Sequence, residues 1–321
     1  MNLREGVYIK PVGIKGTLEI VIVYGDDETI YKTNVKQEII KLYDLDIKEF
    51  NSIIFDFYTL VLDLSLCNNF NDATSIINVL KKQWRMTYKK LREWNLLVAT
   101  LIASVMRESI DNDIEELMLS ADGKEQTEII NRYAIHILEC FMDIGYVQYD
   151  IAGFLNDFHQ NKIEAQSLDE YFNSLTLDAI IYLGENKKSV AQYYIPDICK
   201  FAQYLCMRFI EYDIPLCKCE YCGRYFIPKK RDAAKYCSRI DANGKSCKTL
   251  GAKAKHKEKV NSDDVLKTFE RTRDKLYKRF DRLEMQIKEY DIWFSKAIQA
   301  KKDYQDKKIT ADEAMEIIFH E

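Results

Sequence analysis

The sequence predicts a mainly α-helical protein: an irregular helical bundle with a small N-terminal β-hairpin and a helical C-terminal tail. Apolar residues recur every three or four positions from about residue 46 to 213, with few helix breakers. Only 4 Pro and 11 Gly occur in 321 residues, which argues against an all-β fold built on many turns. Strand-forming residues are concentrated in the first 35 positions.

The N-terminal segment, residues 1–45, is predicted to contain the hairpin. Residues 17–24, TLEIVIVY, are rich in β-branched side chains, and residues 28–33, ETIYKT, follow them across the turn residues GDD. Two strand-like runs joined by such residues are typical of a hairpin. No residue in this segment suggests chemistry, so we expect it to be structural.

Residues 46–214 form the predicted helical domain. Amphipathic runs cover 73–106 and 127–160, and the last helix is expected to start at Pro196 and to end before Pro215. This domain contains no recognisable catalytic constellation, so an enzyme is the least favoured function. We expect it to act as a sensing or oligomerising domain.

The C-terminal segment, residues 261–321, is also predicted to be helical. Ser262 is a capping residue followed by two acids, and the apolar stripe beyond it predicts one helix over 262–300. The stripe comprises Phe269, Leu276, Phe280, Leu283, Ile287, Tyr290, Phe294 and Ile298. Packing against the chain's own body is favoured over self-association or a protein partner, because the heptads are imperfect and Arg273 interrupts them. A capping box at 310–313 opens a short last helix.

The cysteines indicate the compartment and a metal. The N-terminus lacks an apolar core of signal-peptide length, and the longest apolar run, residues 96–106, is too short to span a bilayer. We therefore expect a cytoplasmic protein without membrane contact. Five of the nine cysteines lie between residues 217 and 247. In a reducing compartment such a cluster binds metal more readily than it forms disulfides.

The spacing within this cluster predicts a structural zinc site. Cys219 and Cys222 form a C-x2-C pair, and Gly223 follows at once, which is typical of a tight turn whose backbone amides point at sulfur. Cys237 and Cys247 supply two more thiolates, and Zn²⁺ in structural sites takes four tetrahedral ligands. We therefore predict a single closed Zn²⁺ site with these four cysteines as ligands.

Two other residues are alternative ligands. Cys217 in place of Cys219 would make the first pair C-x4-C and remove the tight turn. His256 lies nine residues beyond Cys247, about two and a half helical turns away, which is too far to share the metal. We expect neither residue to bind it.

The residues between the ligands predict a treble-clef arrangement over residues 215–260. The run from Arg224 to Cys237 is expected to form a strand, a charged turn and a second strand. The run after Ser246 is expected to form a helix whose first turn carries Cys247. A knuckle, a hairpin and a helix that holds the last ligand make up that fold.

Residues 217–257 resemble CGNR-type zinc fingers and bacterial proteins in which a helical region leads into such a finger. The match is strongest at Cys219, Cys222, Gly223, Phe226, Cys237 and Ser238. The resemblance implies a DNA-binding transcriptional regulator. The chain departs from the family where Cys247 is followed by Lys-Thr-Leu instead of Gly-Asn-Arg, and where the segment IDANGK lengthens the last ligand spacing. The resemblance therefore implies the zinc fold more strongly than it implies a shared binding surface.

Charge is distributed unevenly along the chain. Residues 217–260 hold 13 Lys/Arg against 4 Asp/Glu, whereas residues 1–216 hold 21 against 33. The basic candidates for contact with phosphate lie at the expected hairpin tip and on one face of the following helix: Lys229, Lys230, Arg231, Lys248, Lys255 and Lys259. The sequence therefore favours a zinc-finger nucleic-acid-binding protein, for DNA or RNA. The alternative is a zinc-stabilised protein-interaction or scaffold protein without nucleic-acid binding.

Overall fold

A computed structural model describes residues 6–12, 16–24, 27–66, 73–110, 122–163, 177–183, 189–229 and 234–320. These residues are mostly helical with a small antiparallel sheet, as predicted. The chain divides into two compact units. The first unit is Met1–Cys217 with Tyr225–Arg231, and the second is Lys218–Arg224 with Asp232–Glu321. No helix in these ranges is both long and apolar enough to cross a membrane.

The first unit contains a five-stranded antiparallel sheet in the order β3-β2-β1-β5-β4. Its strands are β1 (Gly6–Pro11), β2 (Thr17–Tyr24), β3 (Asp27–Asn34), β4 (Ala179–Leu183) and β5 (Ser189–Ile195). The pairing of β2 with β3 confirms the predicted hairpin. The other three strands were not predicted, and two of them come from the segment that we assigned to the helical domain.

Both faces of the sheet bury side chains. Val7 and Ile9 of β1 belong to the main core, whereas Tyr8 between them lies in a small separate cluster with Val21 and Tyr194. Successive side chains of a strand point to opposite faces, which explains this alternation. The sheet therefore forms a wall of the main core and is anchored on its other side by packed tyrosines.

The described residues of the first unit also form six helices: α1 (Val35–Tyr43), α2 (Ile47–Ser65), α3 (Ala73–Trp94), α4 (Leu96–Ile110), α5 (Gly123–His159) and α6 (Ile198–Glu211). Phe50 and Phe57 of α2 meet Phe141 of α5 edge-on, with ring centroids 6.1 and 6.2 Å apart. This geometry is favourable for aromatic pairs and contributes beyond the area that is buried. Asp122 caps the start of α5, its carboxylate accepting from the N–H groups of Lys124 and Glu125.

The described residues of the second unit form four helices: α7 (Cys247–Asn261), α8 (Asp264–Asp281), α9 (Ile287–Gln305) and α10 (Ala311–Phe319). The last three enclose a small core in which Phe269 and Leu276 of α8 pack with Trp293 of α9 and Ile318 of α10. The Trp293 indole donates a hydrogen bond of 3.1 Å to the Ile318 carbonyl. The predicted stripe thus packs within its own chain in part, and the capping box of α10 forms as expected.

The prediction of one helix over 262–300 is wrong, because the chain turns between α8 and α9. Leu283 adopts a left-handed conformation with φ of 60° and is 91% exposed. Its N–H donates to the Phe280 carbonyl, and the Glu284 N–H donates to the Arg279 carbonyl, both at 2.9 Å. This pair of bonds is the Schellman motif that ends a helix. The apolar stripe looks continuous in the sequence because the aromatic residues of α9 pack into the same core as those of α8.

Candidate metal centre

Four cysteine sulfurs converge in the second unit. The Sγ atoms of Cys219, Cys222, Cys237 and Cys247 all lie within 4.8 Å of one another, and those of Cys222 and Cys237 are 3.7 Å apart. A tetrahedral site with metal–sulfur bonds of ~2.3 Å places its sulfurs about 3.8 Å apart. These are the four cysteines that the spacing predicted, and together they form a group that could hold a metal ion.

The first two cysteines lie on a tight turn. Gly223 has φ of 71°, a conformation that a side chain disfavours, and its N–H donates to the Cys219 carbonyl at 2.9 Å. The Cys219 N–H donates to the Arg224 carbonyl at 3.0 Å. The turn is flanked by two short strands that pair with each other, β6 (Cys217–Lys218) and β7 (Tyr225–Phe226). This local geometry brings both sulfurs to one side.

Cys237 approaches the turn through its backbone. Its N–H points at the Cys219 sulfur at 3.4 Å, and the Glu220 N–H donates to the Lys235 carbonyl at 2.8 Å. The strand expected before Cys237 is not formed, since residues 234–239 are irregular, and β7 pairs with β6 instead. Two short strands around a knuckle thus replace the predicted hairpin within the part of this segment that is described.

Cys247 is the first residue of α7, as expected. Ser246 caps the helix, its hydroxyl accepting from the Thr249 N–H at 3.2 Å. The lengthened spacing before it is a compact turn in which the Asp241 carboxylate accepts from the N–H groups of Asn243 and Lys245. These local bonds orient the start of α7, so the longer loop does not displace the fourth sulfur.

Three of the clustered thiols, those of Cys219, Cys222 and Cys247, have shifted pKa values. Burial opposes ionisation of Cys219, but backbone N–H groups of Cys222, Cys237 and Tyr221 donate to its sulfur and lower its pKa to about 6. Burial, together with hydrogen bonds and charge interactions with Cys237 and Cys222, raises the pKa of Cys247 to about 12. Burial is also the main cause that raises the pKa of Cys222. Cys219 is therefore more readily ionised than Cys222 and Cys247, and a bound cation would favour the thiolate form of its ligands.

The donor set fits a metal that prefers sulfur. Cys219, Cys237 and Cys247 are buried and Cys222 is exposed, so the group is closed on most sides. The two alternative ligands are outside it. Cys217 is not in the group of four, and the His256 side chain is 62% exposed with Nε2 3.7 Å from a Glu270 carboxylate oxygen. All-thiolate, four-coordinate sites are typical of structural centres.

The basic candidates are on the surface wherever they are described. Lys248, Lys255 and Lys259 are exposed on α7, and every residue from 252 to 259 is exposed. Lys229 is exposed as well, in the first unit. Lys230 and Arg231 lie outside the described residues.

One supporting contact was not predicted. A Cβ added at Gly251 of α7 would lie 2.3 Å from Cε1 and 2.5 Å from Cδ1 of the Tyr236 ring. The ring of the residue before Cys237 therefore packs directly on the helix that begins with Cys247. The glycine within this lysine-rich helix was the sequence signal for the contact. Glycine destabilises a helix, so its presence there indicates that another group packs closely against the backbone.

Comparison with known proteins adds one result. Residues 182–318 match the sequence profile of a family described as a family of unknown function (DUF6076). The matched region contains all four clustered cysteines and most of the three-helix core. No curated protein and no solved structure matches the chain.

Proposed function

We propose that the protein is a zinc-finger nucleic-acid-binding protein of the cytoplasm, with its finger over residues 215–260. Cys219, Cys222, Cys237 and Cys247 would hold Zn²⁺, which would supply structural cross-linking and no reaction step. The all-thiolate donor set supports zinc. A knuckle followed by a helix that carries the last ligand supports a treble-clef arrangement and the likeness to CGNR-type bacterial regulators.

The surface of α7 is the observation that carries nucleic-acid binding. The helix has five lysines and one glutamate, and residues 252–259 are exposed on every side. None of the five lysines forms an ion pair with another described residue. A helix that is polar on every side has no apolar face to bury, so it needs another source of stability. Here Cys247 and Gly251 are packed at its start, and the exposed lysines beyond them can contact a ligand.

The charge on this helix suits a phosphate backbone. Lys248, Lys255 and Lys259 are separated by seven and four residues, which places them on one face. Lysines held on one face of a helix contact successive phosphates and release condensed counterions. The ligand class that follows is an extended polyanion, and the sequence-independent part of its affinity should fall steeply with salt.

The test is a salt titration with the full chain. Fluorescence anisotropy measures binding of a mixed-sequence DNA duplex and of a matched RNA duplex, each over a range of salt concentrations. The triple variant Lys248→Gln/Lys255→Gln/Lys259→Gln should bind more weakly, and the slope of log affinity against log salt should become shallower by about 3. Comparing the two duplexes decides between DNA and RNA.

A matched variant controls for net charge. Lys288→Gln/Lys296→Gln/Lys302→Gln removes three exposed lysines from α9 and changes the total charge by the same amount. It should leave the slope unchanged. Affinity without salt dependence, or an equal loss in both triple variants, would refute α7 as the contact surface.

A second candidate, a zinc-stabilised protein-interaction or scaffold protein, is favoured by the exposed part of the apolar stripe. Leu283, Ile287 and Ile298 are 91%, 58% and 44% exposed. Apolar side chains at the rim of a helical unit are typical of contact sites. Light scattering over a concentration series tests for self-association. An Ile287→Ser/Ile298→Ser variant should remove any such species, whereas a monomer at every concentration would contradict self-association.

A further inference from the structure

An apolar groove lies between α2 and α5 in the first unit, separate from the cysteine cluster. It has a volume of about 400 Å³, within the range of ~300–1,000 Å³ that small-molecule sites occupy. Six residues of α2 and three of α5 line it. The α2 wall runs from Ile47 to Tyr58, which is about 17 Å of helix, so the groove is elongated.

The lining is aromatic and carries no charge. Phe50, Phe55 and Phe141 contribute rings, and Met142 contributes an adaptable thioether. Phe55 and Met142 remain 64% and 52% exposed, although burying such side chains is favourable. A charged ligand would lose its hydration here without gaining an ion pair, so the lining selects a neutral molecule.

Gly145 leaves the groove open. It lies inside α5, where glycine weakens a helix relative to alanine. A Cβ added at this position would meet nothing within 4 Å, so no contact within the described part of the chain requires the glycine. Gly251 differs in this respect, because a Cβ there would clash with the Tyr236 ring. The free space at Gly145 is explained if something other than the chain's own side chains approaches the helix there.

Two polar residues can orient an occupant. Asn51 and Tyr58 are the residues of the lining whose side chains carry polar groups, and neither side chain forms a hydrogen bond with another of the residues that the structure describes. A few such groups in an otherwise apolar lining are typical of sites for small molecules. They match a ligand that carries a carbonyl or hydroxyl group on an apolar frame.

We propose that this groove binds a neutral, elongated aromatic small molecule with one hydrogen-bonding group, held between α2 and α5 against Gly145. The site is independent of the zinc finger and of nucleic-acid binding. It would give the acidic helical unit a ligand of its own.

The experiment uses prodan, a neutral naphthalene ketone whose fluorescence shifts to the blue in apolar surroundings, with the full chain. We expect saturable binding of one prodan per chain. Gly145→Leu should weaken it at least tenfold, because the leucine side chain enters the groove. The variant should fold, since the space is open and leucine is the better helix former. Circular dichroism checks this directly.

Two controls make the result decisive. Ser52→Leu adds the same side chain to an exposed position of α2 that does not line the groove, and prodan affinity should not change. Anilinonaphthalene sulfonate, a charged probe of similar size, should bind at least tenfold more weakly than prodan. No saturable binding, an equal loss in Ser52→Leu or equal affinity for the sulfonate would overturn the proposal. A change of oligomeric mass in Gly145→Leu without loss of prodan would instead make the groove an interface between copies, which also overturns it.

Discussion

Replacing Gly251 with alanine should weaken the metal centre, although alanine is the better helix former. The added Cβ would lie 2.3 Å from the Tyr236 ring, a separation that a real Cβ does not tolerate. The ring must therefore move. Because Tyr236 directly precedes Cys237, its displacement disturbs a ligand that points at the Cys219 sulfur through its own N–H at 3.4 Å.

Two opposing energies set the size of the effect. Alanine in place of glycine inside a helix gains about 1 kcal/mol. Overpacking a closely packed contact costs about 1–3 kcal/mol. Because the clash meets ring carbons and not the end of a flexible chain, we take the middle of that range and expect a net loss of about 1 kcal/mol. Metal binding and folding of such a unit are coupled, so the loss corresponds to about a fivefold lower zinc affinity.

Competition with a chromophoric chelator measures this affinity in the full chain. The matched control is Gly145→Ala, the same substitution inside a helix where the Cβ meets nothing. It should raise the free energy of unfolding by about 1 kcal/mol and leave zinc affinity unchanged. Combining Gly251→Ala with Tyr236→Leu should recover part of the loss, as expected for residues in contact. Unchanged or tighter zinc binding in Gly251→Ala would refute the packing explanation.

Three further outcomes follow from the structure. Cys219→Ser/Cys222→Ser should lose the one zinc per chain measured by elemental analysis, while Cys217→Ser keeps it; zinc retained in the double variant would contradict the ligand set. Leu283→Gly should stabilise the α8–α10 core by ~0.5–1 kcal/mol in denaturant unfolding, because glycine accepts the left-handed conformation without strain, and a destabilised variant would contradict this. Backbone N–H donation at the helix start lowers the pKa of Glu313, so its stabilisation of α10 is complete above the unfolded pKa and is lost as pH falls through the folded pKa. The protection factors of the α10 amides, which compare exchange with the intrinsic rate at each pH, should therefore fall in acid, and Glu313→Gln should remove that dependence.

Most of the features that were predicted correctly depend on residues close together in the sequence. The group of four cysteines follows from cysteine spacing and Gly223, and the start of α10 follows from a capping box. In each case the residues that create the structure are close together in the chain. The physical cause can therefore be read from a few consecutive letters.

The missed features depend on contacts that sequence periodicity does not encode. Leu283 ends a helix without the glycine that usually marks such a site, so the stripe appeared continuous. Strands β4 and β5 join the sheet because β5 pairs with β1, which lies near the opposite end of this unit's sequence. The groove at Gly145 needs side chains from two helices that are far apart in the chain. Each depends on tertiary packing, which overrides local preference.

The pairing of β1 with β5 also dictates when the first unit can finish folding. Val7 pairs with Ile195, roughly 190 residues further along the chain. At a synthesis rate of ~5–20 residues per second, one edge of β1 waits about 10 to 40 s for its partner. During that interval the nascent hairpin presents unpaired backbone groups and an apolar face, which invite association with other chains. A ribosome that pauses before residue 195 would lengthen this exposure, so yield on expression should depend on translation speed through that stretch.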